Sequence, residues 1–353
     1  MDNPCANVKN SLPRDRNAER NPIIMFTREI KKVAIVGTGV IGAGWAARFL
    51  YRGVDVVATD PGEDAEVFVN EVVENSKQAQ EKLLYIPAEK RGRLSFTKNL
   101  NEAVKDADYI QESAPEVADI KIPLLSEISK YAQPAAIIGS STSGLLPTRL
   151  QSEIVYPERF VVAHPFNPVY LLPLVEVVGG KKTSPDAIDT AMKIYKTFGM
   201  KPLKVRVEIE GHISDRLLEA IWREILWMVN DNVATTEELD DAIIYGPGLR
   251  WALMGTNLTY LLAGGKRGMR HFMEQFGPAL KLPWCHLEAP ELTNELIDKM
   301  VEQTAAQAKN RDLRELELLR DNCLVAIMQA LSEYEHAAGK IVKEDFEREK
   351  GTR

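Results

Sequence analysis

His164 and Glu176 are the residues of this sequence best suited to transferring a proton. His164 directly follows the apolar run 160–163, and the prolines after it hold the backbone extended. Glu176 lies 12 residues later inside a second apolar run, 174–178, where burying a carboxylate is costly unless it has a partner. An imidazole held by that carboxylate has a fixed tautomer and can accept a proton near neutral pH. A structural histidine and an edge-strand glutamate would explain the same pattern, and the residues alone do not separate the two interpretations.

Ser143 is a candidate for binding a substrate hydroxyl. It follows the apolar run 136–139, which is typical of a strand, so we expect it at the same sheet edge as His164. A helix N-cap serine is the alternative interpretation, and it is the more common one. No G-x-S-x-G motif surrounds Ser143, so we do not expect a hydrolase nucleophile. The five histidines lack metal-ligand spacing, so no metal site is predicted.

A glycine-rich loop between an apolar run and a helical pattern predicts a dinucleotide site. The run 33–36 precedes the loop, and the helical pattern 41–51 follows it. In a G-x-G-x-x-G loop the first glycine permits a tight turn, the second lets a pyrophosphate approach the backbone, and the third allows close helix–strand packing. The helix N-terminus then faces the anion. The predicted cofactor-binding residues of this loop are Gly37, Thr38, Gly39, Val40, Ile41 and Gly42.

Asp60 predicts which dinucleotide the loop binds. It ends the next apolar run, 56–59, and stands 18 residues after Gly42, where a carboxylate can accept hydrogen bonds from a ribose diol. Its negative charge would repel a 2′-phosphate, and the following Pro61 and Gly62 offer no arginine to bind one. NAD is therefore the predicted cofactor. An ordinary turn with a solvated aspartate is the alternative interpretation.

These side chains need a sheet whose strands end at a common edge. Between about residues 31 and 208, short β-branched runs alternate with longer helical patterns, which predicts a largely parallel sheet with helices on both faces. After 208 the strand patterns stop, and apolar residues recur every four positions from 213 to 229, which predicts a strong helix. We therefore predict an α/β Rossmann-type NAD-binding domain followed by an all-α C-terminal domain.

The predicted boundaries follow from these patterns. They are a disordered extension at 1–27, the NAD-binding domain at 28–208, and a helical C-terminal domain at 209–353. Strands are predicted at 33–36, 56–59, 109–110, 136–139, 160–163 and 174–178. Helices are predicted at 41–51, 64–84, 213–229, 291–308 and 313–338.

Composition narrows the class of protein. The chain of 353 residues has 44 basic and 51 acidic side chains and a net charge of −7. A nucleic-acid-binding protein needs a basic face, so no nucleic-acid partner is expected. No apolar run is long enough to span a membrane, and residues 1–24 lack the apolar core of a signal peptide. Three scattered cysteines form no disulfide framework, so we expect a reducing compartment such as the cytoplasm.

Together these motifs resemble the 3-hydroxyacyl-CoA dehydrogenase superfamily. The nucleotide loop, Ser143, His164 and Glu176 stand in that family's order, with 21 residues from the serine to the histidine and 12 more to the glutamate. The resemblance implies that these three side chains are catalytic and that Ser143 also contacts the substrate. The family motif H-F/P-F-N-P reads H-P-F-N-P here, which implies substrate contacts at Phe166 and Asn167.

The same resemblance implies roles for three further residues. The glutamate and lysine that line the nicotinamide end in the family match Glu116 and Lys121. The family's asparagine near the start of the first C-terminal helix is replaced by Asp215, in the run D-R-L-L. An ionised aspartate cannot donate a hydrogen bond. Asp215 is therefore protonated, bonded to a donor, or part of a different substrate site, and a role as N-cap or helix-dipole residue is the alternative.

The ranges 164–180, 215–222 and 248–283 resemble the carnitine dehydrogenases of this superfamily more closely. This resemblance implies NAD-dependent oxidation of the 3-hydroxyl of L-carnitine to 3-dehydrocarnitine by a cytoplasmic homodimer. Related dehydrogenases for 3-hydroxyacyl-CoA or L-gulonate, and a structural protein that kept only the fold, are the alternatives. Because aromatic faces bind quaternary ammonium groups, we predict that Trp251 contacts the trimethylammonium group. Core or dimer packing is the alternative for Trp251.

Overall fold

The computed structural model describes residues 29–286, 288 and 290–351, and the extension expected at 1–27 lies outside them. Its strands are β1 (Lys32–Val36), β2 (Asp55–Thr59), β3 (Leu94–Phe96), β4 (Tyr109–Glu112), β5 (Ile137–Ser140), β6 (Phe160–Pro165), β7 (Leu174–Val178) and β8 (Lys201–Val205). They form one sheet in the order β3-β2-β1-β4-β5-β6-β7-β8. The pair β6–β7 is antiparallel, and the other neighbouring strands are parallel.

Helices cover both faces of this sheet because its central strands are apolar on both sides. In β1, Val33 and Ile35 belong to one buried cluster, whereas Ala34 and Val36 belong to the cluster on the opposite face. Such two-sided burial is typical of parallel strands that are connected by crossover helices. The helices of this part are α1 (Val40–Tyr51), α2 (Ala65–Leu83), α3 (Leu100–Val104), α4 (Ala118–Tyr131), α5 (Pro147–Leu150) and α6 (Pro185–Thr197).

The described chain after β8 is helical. Its helices are α7 (Ser214–Asn230), α8 (Thr236–Ile244), α9 (Pro247–Trp251), α10 (Thr256–Ala263), α11 (Gly268–Phe276), α12 (Asn294–Ala308), α13 (Leu313–Glu333) and α14 (Ala337–Gly351). The predicted Rossmann-type sheet followed by an all-α part is therefore confirmed. No helix among the described residues is long and apolar enough to cross a membrane.

Three elements differ from the prediction. β3 and β8 were not predicted, since β3 has three residues and β8 is an edge strand with exposed lysines and a proline. The helix predicted at 313–338 is wrong in its length, because the chain breaks between α13 and α14. Glu335 and Ala337 adopt positive φ angles of 49° and 46° there. Neither residue type signals such a break in the sequence.

Two contacts fix the parts of the fold that surround the strand ends. The buried guanidinium of Arg48 donates to the carbonyl oxygens of Val169 (2.6 Å) and Leu172 (3.1 Å), so it holds the segment after β6 against α1. The Tyr170 hydroxyl in that segment donates to Asp321 of α13 at 2.7 Å. The sheet and the C-terminal helices are thereby joined close to the end of β6, where His164 lies.

Candidate active site

The glycine-rich loop leaves open the space that a pyrophosphate needs. Gly37 has a φ of +90°, and a Cβ on it would lie 2.7 Å from the Ser113 carbonyl group. A Cβ on Gly42 would lie 1.9 Å from the carbonyl oxygen of Gly37, so α1 packs closely against the loop. A Cβ on Gly39 would meet nothing within 4 Å. The first turn of α1 contains no acidic side chain, so its amides can face an anion.

The Asp60 carboxylate closes this loop through two backbone amides. Its Oδ2 accepts a hydrogen bond from the Thr38 amide, and its Oδ1 accepts one from the Gly62 amide, both at 2.8 Å. A carboxylate has about four acceptor sites, so two amide bonds leave capacity for ribose hydroxyls. The loop and Asp60 therefore fit NAD.

We expect the double substitution Asp60→Ser with Pro61→Arg to raise kcat/KM for NADP relative to NAD by about 10–100-fold. The change removes the carboxylate expected to bond the ribose diol and adds a cation for the 2′-phosphate. The free energy of a hydrogen bond to a charged group corresponds to a change in kcat/KM of this size. Initial rates with each dinucleotide measure the ratio. Pro61→Arg alone is the control for the added charge. Equal use of NADP and NAD by the wild-type chain would disprove the role of Asp60.

The proposed catalytic pair lies across two adjacent antiparallel strands. His164 of β6 stands directly opposite Glu176 of β7 in the register, and its Nδ1 lies 3.1 Å from Glu176 Oε2. Both side chains are buried. The second oxygen of Glu176 accepts hydrogen bonds from the backbone amides of Ile213 (3.0 Å) and Ser214 (3.1 Å) at the start of α7. Glu176 thus binds the N-terminus of the first C-terminal helix as well as the imidazole.

The environment of Glu176 determines the tautomer of His164. Burial raises the pKa of Glu176, but the hydrogen bonds from His164, Ser214 and Ile213 outweigh it and hold that pKa below its ordinary value. An ionised carboxylate only accepts hydrogen bonds, so Nδ1 of His164 must donate. The lone pair of the neutral imidazole is therefore on Nε2, the nitrogen that faces Asp215.

A short loop after β5 presents Ser143 beside Glu116. Glu116 Oε1 accepts hydrogen bonds from the amides of Ser143 (3.1 Å) and Gly144 (2.9 Å) and from the Thr142 hydroxyl. Burial raises the pKa of Glu116, but the hydrogen bonds from Thr142 and Gly144 and the nearby Lys121 lower it below its ordinary value. The Ser143 hydroxyl has no hydrogen-bond partner among the described residues. It is not an N-cap, because Leu146 occupies that position of α5.

Lys121 has an ionic partner that the sequence analysis missed. Its ammonium lies 2.7 Å from Oε1 of Glu112, 2.9 Å from the Ala114 carbonyl oxygen, and 3.8 Å from Glu116 Oε2. Glu112 and Lys121 are both buried. This pair supports the loop that holds Glu116. The sequence signals it only weakly, because β4 reads Tyr-Ile-Gln-Glu and its carboxylate follows a polar residue.

His212 is a second residue that the sequence analysis missed. It is fully buried, has a φ of 47°, and donates from Nε2 to the Thr142 carbonyl oxygen at 3.2 Å. Its ring centroid lies 5.6 Å from that of His164. Burial is the main cause that lowers the pKa of His212, so the ring is neutral at neutral pH. His212 links the loop before α7 to the loop of Ser143, and no periodicity in the sequence indicates it.

The structure brings two of the four other predicted substrate residues to His164. The Phe166 ring lies edge-on to the imidazole, with centroids 5.3 Å apart, and Asp215 Oδ2 lies 3.6 Å from His164 Nε2. Asn167 is exposed in the next turn. Trp251 lies in α9 and is 42% exposed, and no contact within the described ranges joins it to His164 or Phe166.

The chain matches known dehydrogenases over nearly all of its described length. The 3-hydroxyacyl-CoA dehydrogenase NAD-binding domain matches residues 32–209, and the C-terminal domain of the same family matches residues 211–311. An L-carnitine dehydrogenase from Pseudomonas aeruginosa is 56% identical over 87% of this chain and 96% of its own length. One from Bacillus cereus is also 56% identical, over 88% of this chain and 95% of its own.

Solved structures give the same assignment. A 5-formyl-3-hydroxy-2-methylpyridine 4-carboxylic acid 5-dehydrogenase, described as NAD+ dependent, has a TM-score of 0.73 and 28% identity over 86% of this chain and 99% of that chain. An (S)-3-hydroxybutyryl-CoA dehydrogenase from Ralstonia eutropha has a TM-score of 0.53 and 26% identity over 61% of this chain and 77% of that chain. The resemblance seen in the motifs is confirmed. With NAD as its cofactor and both family domains matched in order, this chain belongs to the 3-hydroxyacyl-CoA dehydrogenase family.

Proposed function

We propose that this chain oxidises the 3-hydroxyl of L-carnitine to 3-dehydrocarnitine with NAD. The observation that carries the proposal is the buried His164–Glu176 pair, in a chain that is 52–57% identical to eight L-carnitine dehydrogenases. The pair supplies the base that alcohol oxidation needs, and the dinucleotide loop lies at the same edge of the sheet.

The chain's own side chains account for the proton transfer. Nε2 of His164 accepts the hydroxyl proton, because its lone pair is free while Nδ1 donates to Glu176. Glu176 then stabilises the imidazolium that forms. The proposed role of Ser143 is to hydrogen-bond the substrate oxygen. Its hydroxyl has no partner among the described residues, and Glu116 holds its loop, which supports this role. Bound NAD supplies the hydride acceptor for the substrate's 3-hydrogen, and the loop 37–42 with Asp60 would hold it.

NADH formation tests the proposal directly. Initial rates are measured with L-carnitine, L-gulonate and 3-hydroxybutyryl-CoA under identical conditions. We expect kcat/KM to be largest for L-carnitine by at least about 100-fold, because a site selective for a charged group rejects analogues that lack it. A larger kcat/KM for the thioester or for gulonate would assign the chain to those substrates. No NADH from any of the three would favour a protein that kept only the fold.

We propose that Trp251 contributes an aromatic face to the trimethylammonium group. The partly exposed ring in α9 supports this. We expect Trp251→Ala to weaken carnitine binding by about 3–30-fold, in line with one cation–π contact, without changing NAD binding. Trp251→Phe keeps a ring face and should retain part of the affinity. An unchanged KM for carnitine in Trp251→Ala would remove this residue from the substrate site.

We propose that the chain is a homodimer whose interface includes α10 and α11. Neither of these helices contains a buried residue in the isolated chain. Their apolar side chains include Leu262, which is 65% exposed, and exposed apolar patches of this kind mark association surfaces. A second copy of the chain would cover this face.

We expect light scattering to give a dimer for the wild-type chain and a monomer for Leu262→Glu. A charge buried in an apolar interface without a partner disfavours association strongly. Val155→Glu is the matched control, since Val155 is an exposed apolar residue (48%) outside these helices. A wild-type monomer, or an unchanged dimer in Leu262→Glu, would contradict the proposed interface.

We propose a reducing compartment, such as the cytoplasm, as the location of the protein. Cys285 and Cys323 support this, because both are exposed and free. Exposed thiols persist in their reduced form where the glutathione and thioredoxin systems operate.

A further inference from the structure

Asp215 places a second carboxylate beside the catalytic imidazole. It lies in the first turn of α7, and its Oδ2 is 3.6 Å from Nε2 of His164. Oε2 of Glu176 lies 3.1 Å from the other ring nitrogen, Nδ1. The two nitrogens of the imidazole therefore face one carboxylate each, and Asp215 lies on the side where the substrate hydroxyl must bind.

Among the residues that the structure describes, no lysine or arginine side chain pairs with the carboxylate of Asp215. Its approach to His164 is the one polar contact that these residues give it. The nearby His212 is neutral because burial lowers its pKa. Glu176, by contrast, has the imidazole and two helix amides as partners. The side chain of Asp215 is 26% exposed, so a ligand can reach it.

We propose that the carboxylate of Asp215 is the counter-ion of the substrate's quaternary ammonium group and thereby selects a cationic 3-hydroxy acid. This inference depends on the proposed function and identifies the residue that sets its specificity. The reacting nitrogen lies at the start of α7 beside a partly exposed carboxylate that pairs with no lysine or arginine among the described residues.

The covalent structure of carnitine matches this arrangement. A single methylene carbon separates the hydroxyl-bearing carbon from the quaternary nitrogen. When the hydroxyl donates to Nε2 of His164, the ammonium group and the carboxylate of the substrate both lie within a few bond lengths of that nitrogen. A negative Asp215 beside Nε2 attracts the first group and repels the second. A quaternary ammonium group has no N–H to donate, so it needs a negative charge or an aromatic face. Asp215 offers the charge, and Phe166 offers a ring beside the imidazole.

A role through His164 is the competing explanation for Asp215. The carboxylate could orient the imidazole or stabilise its protonated form, which would make Asp215 a positioning residue. That role would affect every substrate equally and would change the pH profile of kcat for all of them. A counter-ion role affects only the charged substrate and appears in KM, because the interaction is equally present in the ground state and the transition state.

The experiment compares two substrates in two proteins. The substrates are L-carnitine and its neutral isostere 3-hydroxy-5,5-dimethylhexanoate, in which a tert-butyl group replaces trimethylammonium. The proteins are the wild type and Asp215→Asn, which keeps the shape of the side chain and removes its charge. Asp231→Asn is the matched control, because it removes an equal charge at the other end of α7. KM and kcat for each substrate, the pH profile of kcat, and KM for NAD are measured in all proteins.

We expect Asp215→Asn to raise KM for L-carnitine by about 10–100-fold while kcat changes less than about threefold. The kcat/KM for the neutral isostere should stay constant or rise, and KM for NAD should not change. Asp231→Asn should behave as wild type with both substrates.

Three outcomes overturn the inference, and they differ from one another. An equal loss with both substrates, or a common shift of the pH profile, would make Asp215 a positioning residue for His164. An unchanged KM for carnitine would show that the ammonium group binds elsewhere, although the proposed function would stand. A wild-type enzyme that oxidises 3-hydroxybutyryl-CoA or gulonate but not carnitine would overturn the proposed function and the inference together.

Discussion

Replacing His164 with alanine is expected to lower kcat by about 10²–10⁴-fold while NAD binding remains unchanged. The variant loses the Nε2 lone pair that accepts the hydroxyl proton in the proposed mechanism. No hydrogen bond or ring contact among the described residues joins the NAD loop at 37–42 to His164, so the shape of that loop should persist. Single-turnover rates and NAD titration by fluorescence measure the two quantities separately.

The control for this variant is His271→Ala. His271 lies in α11 and contacts Arg267, so its loss changes the histidine content without touching the catalytic pair. Circular dichroism should show the same fold for both variants. If folded His164→Ala kept a kcat within about threefold of wild type, His164 would not be the base, and a water-mediated proton transfer would have to replace it.

The sequence predicted the core of the sheet well because its central strands are apolar runs. The predicted bounds lie within one or two residues of the observed ones for β1, β2, β6 and β7. Because β7 runs antiparallel to β6, the 12-residue spacing brings Glu176 directly opposite His164. The edge strand β8 was not predicted. Its exposed lysines and its proline give it the composition of a loop. An edge strand can have such a composition because it pairs with only one neighbouring strand.

The site was predictable where a charged residue interrupts an apolar run, and less so elsewhere. Glu176 was found by that signal, whereas Glu112 follows Gln111 at the end of β4, interrupts no apolar run, and was overlooked. His212 was not predictable, because its contact with Thr142 joins residues 70 positions apart through a loop with left-handed backbone. The attachment of Glu176 to α7 likewise depends on how two domains meet, which no local pattern indicates.

Glu176→Gln is expected to lower kcat by about 10²–10⁴-fold, even though the substitution preserves the shape of the side chain. The ionised carboxylate accepts the Nδ1 proton of His164 and so keeps the lone pair on Nε2. The glutamine carbonyl oxygen can still accept from the amides of Ile213 and Ser214, which turns its amino group towards Nδ1. An amino group donates to Nδ1, so the favoured tautomer then carries its hydrogen on Nε2 and cannot accept a proton from the substrate.

Rate, stability and pH together separate this effect from simple damage to the fold. The glutamine keeps the two helix amides paired, so the variant should lose only about 1–2 kcal/mol of charge-assisted hydrogen bonding. The melting temperature should therefore fall by only a few degrees. The pKa of Glu176 is already below its ordinary value, so the wild-type residue is ionised throughout the neutral range, and raising the pH should not restore the variant. A kcat within about threefold of wild type would refute the tautomer argument. A large drop in melting temperature with weaker NAD binding would instead show that Glu176 mainly anchors α7 to the sheet.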